Sequence, residues 1–182
     1  MADFFETGIP GLILIQPKVH RDGRGYFFES FKQDEYTDRL QTNPFIQENE
    51  SKSAYGVLRG LHYQAPPFEQ AKLVRVVKGK VLDVVVDIRR DSRQYGEHYS
   101  TELSEDNMQQ LYIPRGLAHG FVTLSESAIF LYKVDNKYSP EHERGIRYDD
   151  PDLAINWDIP ISKIITSPSD EKLPAFREID KR

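Results

Sequence analysis

Residues 73–88 read Leu73-Val74-Arg75-Val76-Val77-Lys78-Gly79-Lys80-Val81-Leu82-Asp83-Val84-Val85-Val86-Asp87-Ile88. Two valine-rich runs flank Lys78-Gly79-Lys80, where glycine permits a tight reversal, so the segment reads as a β-hairpin. In the second run Asp83 and Asp87 share a face with Val81 and Val85, opposite Leu82, Val84, Val86 and Ile88. One face therefore reads as core and the other as mixed. The same texture continues on both sides. Leu12 to Gln16 is a short apolar run ended by Pro17, and Asp22-Gly23-Arg24-Gly25 is a turn signal before an extended Tyr26-Phe27-Phe28. Phe45 to Asn49, Gln110 to Ile113 and Ala128 to Val134 also read as extended. Residues 32–41, polar with Tyr36 and Leu40 four apart, predict one short helix. Many short strands separated by Gly or Pro turns predict a mainly β chain, a sandwich or barrel with a few short helices.

The 182 residues fit one domain, 1–182, with a real core. From Tyr138 the texture shifts: Tyr148-Asp149-Asp150-Pro151, Trp157, Pro160, Pro168 and Pro174 mark a turn-rich tail too irregular to fold by itself. Ten Tyr and ten Phe are a supply suited to β-rich cores or binding clefts. The absence of cysteine excludes disulfides, thiolate catalysis and Cys-ligated metal, and fits a reducing cytoplasm. A net charge of −5 argues against a nucleic-acid partner, which needs a basic face. It leaves room for a small anion at a local cluster such as Arg24, Arg59 and Lys72. The first twenty residues carry Asp3, Glu6 and Pro10 and no long apolar run, so no signal peptide is expected. No stretch approaches the roughly 20 apolar residues that span a bilayer, so no membrane partner is expected.

The chemistry-bearing window is Arg59-Gly60-Leu61-His62-Tyr63-Gln64 followed by Lys72. Arginine can grip a phosphate with a rigid fork of donors, histidine can move a proton near neutral pH, and lysine can steady an oxyanion. That trio suits an anionic substrate undergoing proton transfer; read alone, each side chain also fits a solvated surface. A second motif, Pro114-Arg115-Gly116-Leu117-Ala118-His119-Gly120-Phe121, delivers His119 from a turn. Two such histidine motifs about sixty residues apart are similar to the layout of cupin barrels. Most cupins hold a metal with two histidines one residue apart, a glutamate and a later histidine. Here Gln64 stands at the second position, and Glu69 lies close to Lys72, so a metal site is poorly supplied.

The ordered segments Asp22-Gly23-Arg24-Gly25-Tyr26-Phe27-Phe28-Glu29, Gly56-Val57-Leu58-Arg59-Gly60-Leu61-His62-Tyr63-Gln64, Lys72-Leu73-Val74-Arg75-Val76-Val77, Asp87-Ile88-Arg89-Arg90, the His119 motif, Leu131-Tyr132-Lys133 and Tyr138-Ser139-Pro140 resemble the dTDP-4-dehydrorhamnose 3,5-epimerase family. The resemblance covers about residues 8–174. It implies a metal-free, cofactor-free, cupin-type jelly roll, with the tail 138–182 packed on the barrel. It also implies a dTDP-sugar substrate, dTDP-4-dehydro-6-deoxyglucose, on the route to dTDP-rhamnose. The family's base falls on His62, and its partner carboxylate on Asp170 in Ser167-Pro168-Ser169-Asp170. Its proton donor on the other face of the sugar falls on Tyr132; read alone, Tyr132 alternates with Phe130 and Val134 as a core tyrosine would. Lys72 and His119 match positions near the C4 oxygen or the adjoining phosphate, and Arg59 a diphosphate anchor. Gln47, Glu48 and Asn49 match a nucleotide-contacting stretch, Tyr138 an aromatic that stacks on thymine, and Glu143 a further binding position. Arg24 and Glu29 match residues that reach the nucleotide-sugar from a neighbouring subunit, which implies a homodimer. One departure stands out: the family commonly carries Lys before the tail aspartate, where this chain has Ser169, and Asp152 and Asp158 lie in the same region.

Three other readings stay open at this level. A relative could epimerise one carbon only, or move the ketone between C3 and C4. The barrel could bind a nucleotide-sugar without catalysis. A metal cupin oxygenase would carry a stoichiometric metal.

Overall fold

The computed structural model describes residues 2–181. Thirteen strands and one α-helix follow in order: β1 (Asp3–Glu6), β2 (Ile13–Gln16), β3 (His20–Asp22), β4 (Gly25–Phe27), α1 (Gln33–Leu40), β5 (Gln47–Ala54), β6 (Leu58–Gln64), β7 (Lys72–Lys78), β8 (Lys80–Asp87), β9 (His98–Ser104), β10 (Gln110–Ile113), β11 (Leu117–Thr123), β12 (Ser127–Val134) and β13 (Glu143–Gly145). One sheet runs β1-β2-β10-β7-β12-β5 and the second β13-β6-β11-β8-β9, while β3 and β4 form a separate ribbon. The two large antiparallel sheets face one another as a cupin-type jelly-roll sandwich.

The 73–88 segment departs from the hairpin expected of it. β7 pairs with β10 and β12, whereas β8 pairs with β11 and β9. The chain turns a corner at Gly79 and passes from one sheet to the other. Gly79 has φ +75, and a Cβ there would stand 2.1 Å from the Ser127 carbonyl oxygen, so only glycine fits the corner. Alternation and a central glycine describe a reversal and a corner equally well; strand pairing decides between them.

The two-faced reading of β8 also changes. Val81 and Val85 pack with Val74, Val76, Phe121 and Phe130, which come from both sheets and form the core between them. Leu82, Val84 and Val86 lie on the outer face, where Ile146, Leu153 and Trp157 of the tail cover them. Both faces are core, and the "mixed" face with Asp83 looks into the sandwich. A third cluster packs Tyr36 and Leu40 of α1 on Ile15, Leu73 and Tyr112 of the first sheet. The predicted helix over 32–41 is thus present, and its two spaced apolar residues are the ones it buries. The tail holds β13 and short 3-10 turns. It is tied to the barrel edge where Leu58 donates its N–H to Ile165 and Ile165 donates to Gly56.

Candidate active site

A cavity of about 750 Å³ opens between the sheets. Into it project Arg59 and His62 from β6, Lys72 from β7, His119 from β11 and Tyr132 from β12. In a regular strand Arg59 and His62, three apart, would point to opposite faces. The pairing of β6 with β11 slips here: His119 opposes His62 and Phe121 opposes Arg59, three residues against two. This bulge turns both side chains into the cavity. Gly60 makes it possible, with φ +126 and with Gly120 Cα only 2.6 Å from where a Cβ would sit.

His62 Nε2 lies 2.7 Å from Asp170 Oδ1. Asp170 opens the 3-10 turn Asp170–Lys172 and is only 5% exposed. Its Oδ2 accepts the Gly60 N–H at 3.4 Å, and its own N–H donates to Ser167 Oγ at 3.1 Å. Burial pushes the Asp170 carboxyl up, but the hydrogen bond and charge of His62, with Gly60 and Ser167, outweigh it and hold the group below the usual carboxylate range. A carboxylate so placed accepts a hydrogen bond from the imidazole's Nε2–H and leaves Nδ1 as the basic nitrogen. Asp152 instead bonds Arg177, and Asp158 bonds Asn156.

Deeper in, His119 Nε2 lies 2.9 Å from Asp83 Oδ2, and both side chains are buried. Burial drives the His119 pKa down against the pull of Asp83. Lys72 is brought down to about 8, by burial first, with Asp83 and Glu143 holding it up. Such an ammonium sits close to the point where it can change charge under ordinary conditions. Tyr132 stands on the sheet opposite His62, between Asn49 and Val74. Burial raises its phenol, and a hydrogen bond with Asn49 and the charge of Arg59 oppose this. The alternation with Phe130 is real, since both belong to the face packed against the inner core, yet Tyr132 also lines the cavity.

Around the rim, Tyr138 donates to Glu143 Oε2 at 2.6 Å, and that bond raises the Tyr138 phenol. Arg59 Nε donates to Ser53 Oγ at 3.1 Å. Gln64 Oε1 accepts the Ser139 N–H at 3.0 Å, which ties the Tyr138 segment to β6. Ser169 lines the cavity. Among the described residues, no group of three or more His, Asp or Glu side chains could hold a metal ion.

Five expected residues stand apart from this cavity. Gln47 bonds Asn49, which reaches the site through Tyr132. Glu48 points to the other face of β5, where it pairs with Lys133. Arg24, at the tip of the β3–β4 ribbon, forks onto Asp22, and Glu29 borders a small separate cleft with Lys18, His20 and Lys32. Residues that sequence reasoning did not assign to the site are Asp83, Ser51 and Ser167. The signal for Asp83 was an acid at an inward position of an otherwise valine-rich run; Ser51 and Ser167 carried none.

A family model described as dTDP-4-dehydrorhamnose 3,5-epimerase matches residues 6–178. A dTDP-4-dehydrorhamnose 3,5-epimerase of Methanothermobacter thermautotrophicus is 43% identical over 176 residues, covering 96% of this chain and 95% of that protein. The crystal structure of the enzyme of that name from Elizabethkingia anophelis superposes with a TM-score of 0.94 at 45% identity, covering 98% of each chain. A dTDP-6-deoxy-D-glucose-3,5-epimerase from Legionella pneumophila, solved in complex with dTDP-4-keto-L-rhamnose, also gives a TM-score of 0.94, at 43% identity over 100% of this chain and 96% of that one.

Proposed function

The chain belongs to the dTDP-4-dehydrorhamnose 3,5-epimerase family, and on that premise we propose that its cavity runs the reaction with His62 as base and Tyr132 as acid. The protein is an isomerase of dTDP-rhamnose biosynthesis. It epimerises C3 and C5 of dTDP-4-dehydro-6-deoxy-D-glucose, a nucleotide-sugar, to dTDP-4-dehydro-L-rhamnose by proton abstraction and reprotonation.

The observation that carries the assignment of roles is His62 on one sheet, backed by Asp170 of the tail, facing Tyr132 on the other sheet across one cavity. The C4 ketone acidifies the protons on C3 and C5. Nδ1 of His62 takes each of them in turn, giving its proton up to solvent between the two steps, and Asp170 stabilises the imidazolium that forms. Lys72, with His119, steadies the enolate oxygen. The phenol of Tyr132, kept protonated by burial, returns a proton to the opposite face. Arg59 anchors the diphosphate, and Tyr138, Glu143, Gln47 and Asn49 hold the nucleotide end. No cofactor enters the scheme. Residues 1–182 act as one domain, in the cytoplasm. The working unit is a homodimer: the ribbon carries Tyr26 and Phe27 at 57% and 67% exposure beside Arg24, an apolar tip suited to burial in a partner's site along with Glu29.

Reaction in deuterium oxide tests the activity. After treatment with a chelator, the enzyme must deliver product labelled at both C3 and C5. Label at one carbon only would make it a single-position epimerase, and no label would end the proposal.

A further inference from the structure

Asp83 sits at the centre of β8, where its neighbours along the run are valine and leucine, and its side chain is 0% exposed. A lone buried carboxylate in such a setting is costly unless charges or donors compensate it. One oxygen, Oδ2, takes the bond with His119 Nε2 at 2.9 Å. The other, Oδ1, is buried with no hydrogen-bond partner among the described residues. The compensating groups come from two strands, His119 on β11 and Lys72 on β7, while the charge of His62 on β6 acts against protonation of His119. Glu143 on β13 adds a second negative charge toward Lys72 and Tyr132, and Arg59 a positive one toward Tyr132.

We propose that Asp83 is a positioning residue for the epimerisation: one fully buried carboxylate orients His119 and balances the charge of Lys72 at the end of the site that holds the C4 oxygen. The inference rests on the roles given above to Lys72 and His119. Bonded to Nε2, Asp83 fixes the ring plane of His119 and turns Nδ1 away from itself. Its charge, together with that of Glu143, also keeps a desolvated ammonium protonated near neutrality. No bond to substrate is needed for either effect.

The test is the pH profile of Asp83→Asn, which keeps the shape and removes the charge. Its rate of solvent deuterium exchange at neutral pH falls at least about tenfold. The alkaline limb of kcat/KM moves down by about one unit or more from its wild-type position near 8. Affinity for dTDP holds, because the diphosphate and base contacts are intact. A folded Asp83→Asn protein with wild-type rate and an unmoved limb overturns the inference. Should that variant not fold, nitrogen-15 spectra of the Lys72→Met protein decide. They must show His119 protonated on Nε2 and titrating higher than in the wild type; a bare Nε2 or an unmoved midpoint overturns it. The two claims separate cleanly. If Lys72→Met keeps the full rate and the alkaline limb, the role given to Lys72 fails. If it loses both while Asp83→Asn behaves as wild type, the role of Asp83 alone fails.

Discussion

His62 Nε2 and Asp170 Oδ1 meet at 2.7 Å although 108 residues separate them in the chain. The tail strap around Ile165, hydrogen-bonded to Gly56 and Leu58, delivers the aspartate to the barrel edge. Asp170→Asn keeps the size but removes the charge and puts an NH2 donor beside the ring, so the tautomer is no longer fixed. We expect kcat to fall by about 10²–10⁴-fold with little change in dTDP affinity. Steady-state kinetics with a parallel dTDP titration check this; an equal loss in both would make the contact structural.

The same pair has a stability signature. The folded-state pKa of Asp170 is depressed, so the contribution is present above the ordinary carboxylate pKa and is lost as pH falls through the lower folded value. Chemical denaturation of wild type and Asp170→Asn across the acid range should show the difference between them shrinking as pH falls. A gap independent of pH would count against the linkage.

Lys72 predicts an alkaline limb. Its ammonium, lowered to about 8 in the free enzyme, is charged below that value and neutral above it. The kcat/KM of the wild type should therefore decline as pH rises through about 8. Stability should move the other way. Between about 8 and the unfolded lysine value the unfolded chain binds more protons, so this group makes the fold more stable as pH rises. Lys72→Met should lose the limb in the rate profile.

Gly60→Ala probes the bulge. A Cβ at φ +126, 2.6 Å from Gly120 Cα, forces β6 and β11 apart or the bulge out of register. The strain alone is worth about 1–3 kcal/mol, so the melting temperature should drop. Activity should fall further than stability explains, because Arg59 and His62 would no longer share a face. A variant with wild-type melting and rate would show that the bulge is not needed.

Much of this was legible in the chain. The strands over 12–16, 26–28, 73–88 and 128–134 and the α1 helix follow from alternation and turn residues, whereas the site roles of His62, Lys72, His119 and Tyr132 came from the family resemblance; the strands at Asp3–Glu6 and His98–Ser104 carried no clear signal. The corner at Gly79 was not, because periodicity marks a strand without naming its neighbours. The shared orientation of Arg59 and His62 was hidden for the opposite reason: strict alternation separates them, and only the slip against His119 and Phe121 reunites them. Asp83 looked like one charge on a half-wet face because nothing local says that the tail covers the other side of β8. Glu48 shares a stretch with Asn49 but, one residue away on a strand, belongs to the opposite face.

The central claim is that His62 removes protons and Tyr132 returns them from across the cavity. Solvent deuterium wash-in, followed carbon by carbon in the His62→Asn and Tyr132→Phe proteins, tests it most directly. The account predicts no label at C3 or C5 with His62→Asn. It predicts label at the first carbon with Tyr132→Phe while conversion to the doubly epimerised sugar nearly stops. Undiminished exchange in His62→Asn, or equal collapse of exchange and turnover in Tyr132→Phe, would contradict it.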